Sequence, residues 1–216
     1  QPTNSIFNMS NKLVAYIGIL GVSLFAIAAI VGPLLIEDYS VVSQYISESF
    51  AVDTRYRTYL QYLGYVPSGI LLTMYCFSAP KKFPSSKLVV AGFFGLALFY
   101  GLGTTLVGLF PCDAGCPTDV MDSSIAQLIH NAVASLTYIF FPICLMGIGL
   151  GLKKFENYDR LSQIAIVTGI VSGIFIFALF SNPESGYRGI LQRIIETCFI
   201  VFIISSALRI TKDVGK

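Results

Sequence analysis

The stretch Leu13–Ile36, LVAYIGILGVSLFAIAAIVGPLLI, decides the fold, because it runs without a single charged residue. A helix rises about 1.5 Å per residue, so roughly 20 apolar residues cross the ~30 Å hydrocarbon layer of a bilayer. Five further runs follow at Tyr59–Phe77, Leu88–Phe110, Leu128–Leu152, Ile164–Phe180 and Ile190–Ile210. Leu161 extends the fifth run, which is the shortest. The runs are continuously apolar instead of alternating, which excludes the strands of a membrane barrel, and most lack the polar face of a helix at a soluble surface. The first run is too long for a signal-peptide core and has no small-x-small cleavage site, so it reads as a retained helix. The predicted fold is all-α: a polytopic membrane protein of six transmembrane helices, with residues 1–216 forming one transmembrane domain.

Composition excludes other classes. The 216 residues are 55% hydrophobic and 12% charged, against about 25% charged in soluble domains, and the mean hydropathy is +0.74. A net charge of +2, with no basic patch interleaved with aromatics, gives nucleic acid nothing to bind. The loops set the expected orientation. Lys12, Lys81, Lys82, Lys87, Lys153, Lys154, Arg160, Arg209, Lys212 and Lys216 share one side, and they are ten of the 14 basic residues. Arg55, Arg57, Arg188 and Arg193 lie on or near the other. The positive-inside rule then predicts both termini in the cytoplasm and loops 1–2, 3–4 and 5–6 outside a cytoplasmic membrane.

The outward loops carry the unusual residues. Phe110–Pro117, FPCDAGCP, places Cys112 and Cys116 between helix breakers, on the side where disulfides persist. A disulfide across this turn is predicted; a redox pair would favour C-x-x-C spacing, whereas this is C-x-x-x-C. Cys76, Cys144 and Cys198 read as packing residues. In loop 1–2, Val42, Tyr45, Ile46 and Phe50 recur at helical spacing while Ser40, Ser43 and Ser47 share another face. That pattern predicts a short amphipathic helix, capped by Asp38 or Ser40, lying on the outer surface or dipping into the bundle mouth. As a plain lid it covers helix ends; as a site it turns Ser43, Ser47 and Glu48 toward a polar cavity.

The sole histidine, His130, follows a helix start at Asp122-Ser-Ser and has Gln127 and Asn131 one turn away. The last helix, YRGILQRIIETCF, carries Gln192, Arg193 and Glu196 below the outer hydrocarbon edge. Ionisable groups inside a membrane mark a site by default, and the competing account is a structural brace, since Arg193 and Glu196 are spaced i,i+3 and can pair. Glu48, Asp113, His130, Gln192, Arg193 and Glu196 fall at one depth and on one side. They predict a shared polar-rimmed cavity open to the outer leaflet, not a continuous ion path, which needs polar groups across the full thickness. Gly147-Ile-Gly-Leu-Gly151 and Gly169-Ile-Val-Ser-Gly173 are small-residue faces for helix packing, and would also serve a second copy or another membrane protein.

The motifs SQYISE, FPCDAGCP, HNAVA and GILQR, in that order, resemble the prokaryotic membrane family designated domain of unknown function 998. The resemblance implies a six-helix integral membrane protein and no particular activity. Three functional readings compete. In the first, a membrane lipid or other small amphiphile binds in the cavity, with ligands from Arg193, Glu196, Gln192, His130 and Asn131 and Arg193 meeting an anionic head. In the second, an intramembrane hydrolase or transferase uses His130 as base, Asp113 or Glu48 to orient it, and Ser43 or Ser47 as nucleophile. In the third, the protein is a non-catalytic assembly subunit. No metal or other cofactor is expected, since zinc amidohydrolase sites draw on several histidines.

The orientation is checked by reporter fusions. A fusion after Lys82 is expected to report cytoplasm and one after Thr118 the exterior; the reverse pattern would invert every inside and outside assignment above.

Overall fold

The computed structural model describes residues 9–117, 121 and 123–212. Six long helices follow one another, with no strand among the described residues: α1 (Asn11–Leu34), α2 (residues 57–78), α3 (Lys87–Leu109), α4 (Ile125–Leu152), α5 (Asp159–Ser181) and α6 (Arg188–Lys212). Their limits follow the apolar runs closely. Five are long and apolar enough to cross a membrane by length and composition. The exception, α2, carries Gln61, Ser68, Thr73 and four tyrosines and is the least apolar. The chain is a multi-pass membrane protein.

Local chemistry sets the helix ends. Ser10 caps α1 by accepting from the Leu13 amide. Ser124 does the same for α4 from Gln127, satisfying amides that have no intrahelical partner. The expected start at Asp122 lies outside the described residues. Two helices contain π-turns: Leu60–Tyr65 in α2 and Leu96–Leu102 in α3. The first ends two residues before Pro67, whose ring would clash with the carbonyl four residues back in a regular helix. The wide turn relieves that conflict.

Each helix packs on its chain neighbours, and α6 closes the ring against α1. Without a hydrophobic driving force between helices in lipid, close approach and interhelical hydrogen bonds hold such a ring. Hydroxyls supply the bonds. Ser68 donates to the Gly21 carbonyl across α1–α2 at 2.8 Å, and Ser162 to Gly149 across α4–α5 at 2.8 Å. Thr137 donates to the Phe99 carbonyl across α3–α4. Tyr75 and Ser206 pair at 2.7 Å across α2–α6. Glycines supply the approach: a Cβ on Gly101 would lie 2.6 Å from the Thr73 amide nitrogen. Tyr75, Phe93, Phe141, Phe199 and Phe202 fill the centre. Cys76, Cys144 and Cys198 are buried free thiols, as expected of packing residues.

The two ends of the ring differ. One carries the lysine-rich loops. The other is covered by a lid, residues 36–56, and by the loop segment 110–117. The lid differs from the predicted amphipathic helix. It is a run of turns followed by a single 3₁₀ helix, Ile46–Phe50, with all five residues buried inside the mouth of the ring. Ser40 does cap a turn, accepting from the Ser43 amide at 3.3 Å, while Asp38 takes a left-handed φ of 59°. A capping bond fixes the helix start, and a serine that donates to the Ile46 carbonyl competes for the acceptor the next α-turn would use. Glu48 accepts from the Tyr45 amide at 2.8 Å, and Ser49 donates to the Ile46 carbonyl at 2.7 Å.

The start of α6 presses against this lid. The Ile190 amide donates to the Val42 carbonyl at 3.0 Å. A Cβ at Gly189 would collide with the Gln44 carbonyl and lie 2.8 Å from the Val41 carbonyl, so only glycine permits the contact. Overpacking against backbone costs about 1–3 kcal/mol. Gly189→Ala is therefore expected to lower the melting temperature of the detergent-solubilised protein and to raise proteolysis within residues 36–56; unchanged values would show that the lid does not rest on α6.

Candidate functional site

The lid is fastened by two arginines. Arg188 donates from Nε to the Ser43 carbonyl at 2.9 Å, pairs with Glu48 at 3.2 Å and Glu184 at 3.1 Å, and lies over the Tyr45 ring at 4.8 Å. Glu48 is buried and also accepts from Gln44 Nε2 at 3.1 Å. Arg193 donates to the carbonyls of Val41, Gln44 and Gly189 at 2.9, 3.0 and 3.0 Å, and to the Tyr39 hydroxyl at 3.1 Å. Burial raises the Tyr39 phenol above its ordinary range, and Arg193 opposes that rise.

The expected Arg193–Glu196 ion pair does not form. Side chains on a helix lean toward its N-terminus, which carries Arg193 up into the lid. Glu196 instead faces the interior of the ring and accepts from the Tyr138 hydroxyl at 3.0 Å. Arg193 is a fastener of the lid and does not line the cavity, so it is not placed to meet an anionic head.

The cystine loop supports the lid from the other side. Cys112 and Cys116 come to disulfide distance, with Cα atoms 5.0 Å apart, across a turn made by Gly115 at φ 73°. The Val52 amide donates to the Cys112 carbonyl at 3.0 Å, and Cys116 Sγ contacts Ser47 Oγ at 3.4 Å. Fully buried Gln127 accepts from the Asp113 amide at 2.5 Å and donates to Pro117 at 2.9 Å and to Asn131 Oδ1 at 2.9 Å. The Asp113 carboxylate accepts from the Ser124 amide at 2.8 Å, and hydrogen bonds from Ser124 hold it below the usual carboxylate range. A depressed carboxyl contributes above its unfolded pKa and loses that contribution as pH falls through the folded value. Asp113 thus secures the loop and does not orient His130, whose Nδ1 pairs with the Phe110 carbonyl at 2.8 Å. Because a carbonyl only accepts, that nitrogen carries the proton.

Beneath the lid lies a cavity of about 410 Å³ to which all six helices contribute. The structure brings His130, Asn131, Gln192, Glu196 and Ser47 to its wall, and leaves Ser43, Glu48, Asp113 and Arg193 out of it. Its wall also includes Tyr65, Tyr100 and Tyr138. A directed chain of hydrogen bonds runs from the lid into this space. The Ile46 amide can only donate, so it fixes Gln192 Oε1 as its acceptor at 2.6 Å. Gln192 Nε2 then donates to the Tyr138 oxygen at 2.8 Å. The Tyr138 proton is left for Glu196 Oε1. Glu196 Oε2, Tyr65 Oη and Tyr100 Oη are buried with no hydrogen-bond partner. Ser49, beside Tyr65, already donates to Ile46. Tyr65 and Tyr100 each stand on a π-turn, a feature frequent at functional sites.

Sequence reasoning found Glu196, Gln192, His130 and Asn131 but missed the three tyrosines. Tyrosine within an apolar run contributes little signal, although its usual place is the interfacial belt and not the helix middle. It also missed Arg188, whose buried acidic partner, Glu48, is 140 residues away.

A family model described as Protein of unknown function (DUF998) matches residues 19–209. No curated protein and no solved structure matches.

Two double-mutant cycles check the charge assignments. Arg188→Ala leaves the Glu48 carboxylate buried and alone, a loss on the order of 3 kcal/mol. Adding Glu48→Ala is expected to restore part of it. Arg193→Ala and Glu196→Ala are expected to combine additively, since they share no partner. Strong coupling in the second cycle would restore the ion pair.

Proposed function

The chain belongs to the DUF998 family of proteins of unknown function, and from that footing we propose that it binds a membrane-dissolved amphiphile whose polar head enters the cavity under the lid. The carrying observation is that Glu196, Tyr65 and Tyr100, whose Oε2, Oη and Oη are buried and unpartnered, all line one cavity. Each such group costs about 1–3 kcal/mol in the empty protein. Three in one place are a standing penalty that a ligand's hydrogen bonds would remove.

The chemistry of the head follows from the wall. No lysine or arginine lines the cavity, so an anionic head would find no counter-charge beside the Glu196 carboxyl. A head bearing a hydroxyl or an amine supplies the donor that Glu196 Oε2 lacks, and the hydroxyl also accepts from a tyrosine. Apolar lining from Phe25, Phe50, Val107 and Leu179 suits the adjoining hydrocarbon. In this reading the termini lie in the cytoplasm, the membrane is the cytoplasmic one, and the cavity opens to the outer leaflet. The distribution of lysines between the two ends supports that orientation. Hydrolase chemistry gains no comparable support. Ser47 engages the cystine, Ser43 engages Ser40 and Arg188, and no hydrogen bond joins either serine to His130.

Removing an unpartnered polar atom should strengthen the empty protein and weaken binding at once. Tyr100→Phe is expected to hold or raise the melting temperature of delipidated protein, whereas Glu196→Gln keeps a polar atom there and tests the carboxylate alone. Glu196→Gln is expected to retain about tenfold less co-purified amphiphile, since a hydrogen bond to a charged group is worth about 1.5–3 kcal/mol. Mass spectrometry of the organic extract reads the second effect. No co-purified amphiphile, or equal retention by the variants, would overturn the proposal.

A further inference from the structure

The α4–α5 pair is closed at one end and open at the other. Near the lysine-rich end, a Cβ on Gly149 would lie 2.6 Å from Ile166 Cγ1 and 3.0 Å from the Ser162 carbonyl. One turn or so toward the lid, at Gly169, the nearest approaches are 3.2 Å, to Met146 and the Pro142 carbonyl. At Gly173 the only neighbour is Pro142 Cβ, at 3.9 Å. The helices therefore part progressively toward the lid end. Pro142, which cannot donate a backbone hydrogen bond to the turn before it, stands where they separate.

The parting leaves a groove on the outside of the ring, lined by Ile139, Pro142, Gly173, Ile176, Phe177 and Phe180, together with Tyr138 and Ser181. Phe177 is 76% exposed and Phe180 45% exposed, facing where lipid would be. Tyr138 and Phe180 line both the groove and the cavity. The wall between the two spaces is thus formed by two side chains. One is Tyr138, the penultimate member of the hydrogen-bond chain to Glu196.

We propose that this groove is the lateral entrance of the site, and that the ligand is an amphiphile whose hydrocarbon chain stays between α4 and α5 while its hydrogen-bond-donating head passes Phe180 to reach Glu196. The inference rests on the cavity-binding reading and deepens it. Lipid tails are as apolar as the groove, so a chain lying there gains and loses little on leaving the bilayer. Only the head must cross into the protein, and there it meets Glu196 Oε2 and the Tyr100 hydroxyl. A route from the aqueous side would instead have to displace the lid, whose five-residue 3₁₀ helix is buried and fastened by Arg188, Arg193 and Gln192. From Tyr138 to Pro142 the groove descends about 6 Å toward the bilayer centre. A tail would follow that direction when its head is at the lid end.

Photo-crosslinking tests this in phosphatidylcholine nanodiscs. The probes are 1-hexadecanol and hexadecylamine, each with a diazirine at mid-chain. At least one is expected to label residues 139–142 or 173–177, with the label displaced by excess unlabelled compound. Glu196→Gln and Gly173→Leu are each expected to reduce that displaceable label about tenfold. A Cβ at Gly173 meets Pro142 Cβ at ordinary contact distance, 3.9 Å, and no backbone within 4 Å, so the rest of the leucine extends into the groove and the melting temperature is expected to match the parent. Displaceable label confined to α3 residues 100–107 would place the tail inside the cavity and overturn the lateral entrance, leaving the cavity-binding reading intact. Groove label that excess compound does not displace, or that Glu196→Gln leaves unchanged, is bulk lipid and overturns the entrance as well. No displaceable label anywhere would overturn both.

Discussion

Inside a membrane a polar atom has only the protein to bond with, and this constraint orders the whole structure. Interhelical contacts are made by hydroxyls reaching carbonyls, as Ser68 reaches Gly21 and Ser162 reaches Gly149. These satisfy themselves without charge and draw the helices close enough for glycine faces to touch. At the mouth of the ring the same need is met by Arg193, which engages backbone carbonyls of the lid. The lid can then be irregular, because its free carbonyls have a fixed donor. Against this near-complete satisfaction, three of the four buried unpartnered side-chain atoms among the described residues belong to residues of the cavity wall, the fourth being Ser185 Oγ in the turn before α6.

The fold was largely legible because it is dictated by length and apolarity, which composition reports directly. Even the fifth run, short as written, extends from Asp159 once Leu161 is counted. Spacing was a weaker guide to contact. Arg193 and Glu196 are one turn apart and satisfy the i,i+3 rule, yet the lid offers Arg193 several carbonyls and the ring interior offers Glu196 a tyrosine. Carbonyl acceptors carry no sequence signal, so no spacing rule could weigh them against a carboxylate. The lid misled for a related reason. Val42, Tyr45, Ile46 and Phe50 have helical periodicity, but Glu48 caps the start only at Tyr45 and Ser49 takes the Ile46 carbonyl that a longer helix would use.

The cavity was half legible. Glu196 and Gln192 are conspicuous because polar residues are expensive in the membrane interior. Tyr65 and Tyr100 are not, since a phenol adds area that counts as apolar and one oxygen that counts for little. Their direction depends on two π-turns that composition does not announce. A π-turn accommodates one more residue than a regular turn. It rotates the residues beyond it relative to those before, and so brings side chains inward that a straight helix would place elsewhere. The tyrosines thus owe their role to backbone geometry, which in α2 accompanies Pro67.

The asymmetry between the two ends bears on the kind of work such a ring can do. At the lysine-rich end the centre is packed with Tyr75, Phe93, Phe202, Leu152 and Ile210, all essentially inaccessible. Polar cavity atoms are confined to the lid end. A transport path needs a second opening, and a packed aromatic core interdigitated at near-crystal density does not provide one without repacking several helices. In the proposed reading the ring is a receptacle entered near one end. Its hydrogen-bond chain from Ile46 through Gln192 and Tyr138 to Glu196 links the lid backbone to the innermost carboxyl. The lid and the carboxyl are thus joined through bonds whose donor-to-acceptor direction is fixed at its origin by a backbone N–H.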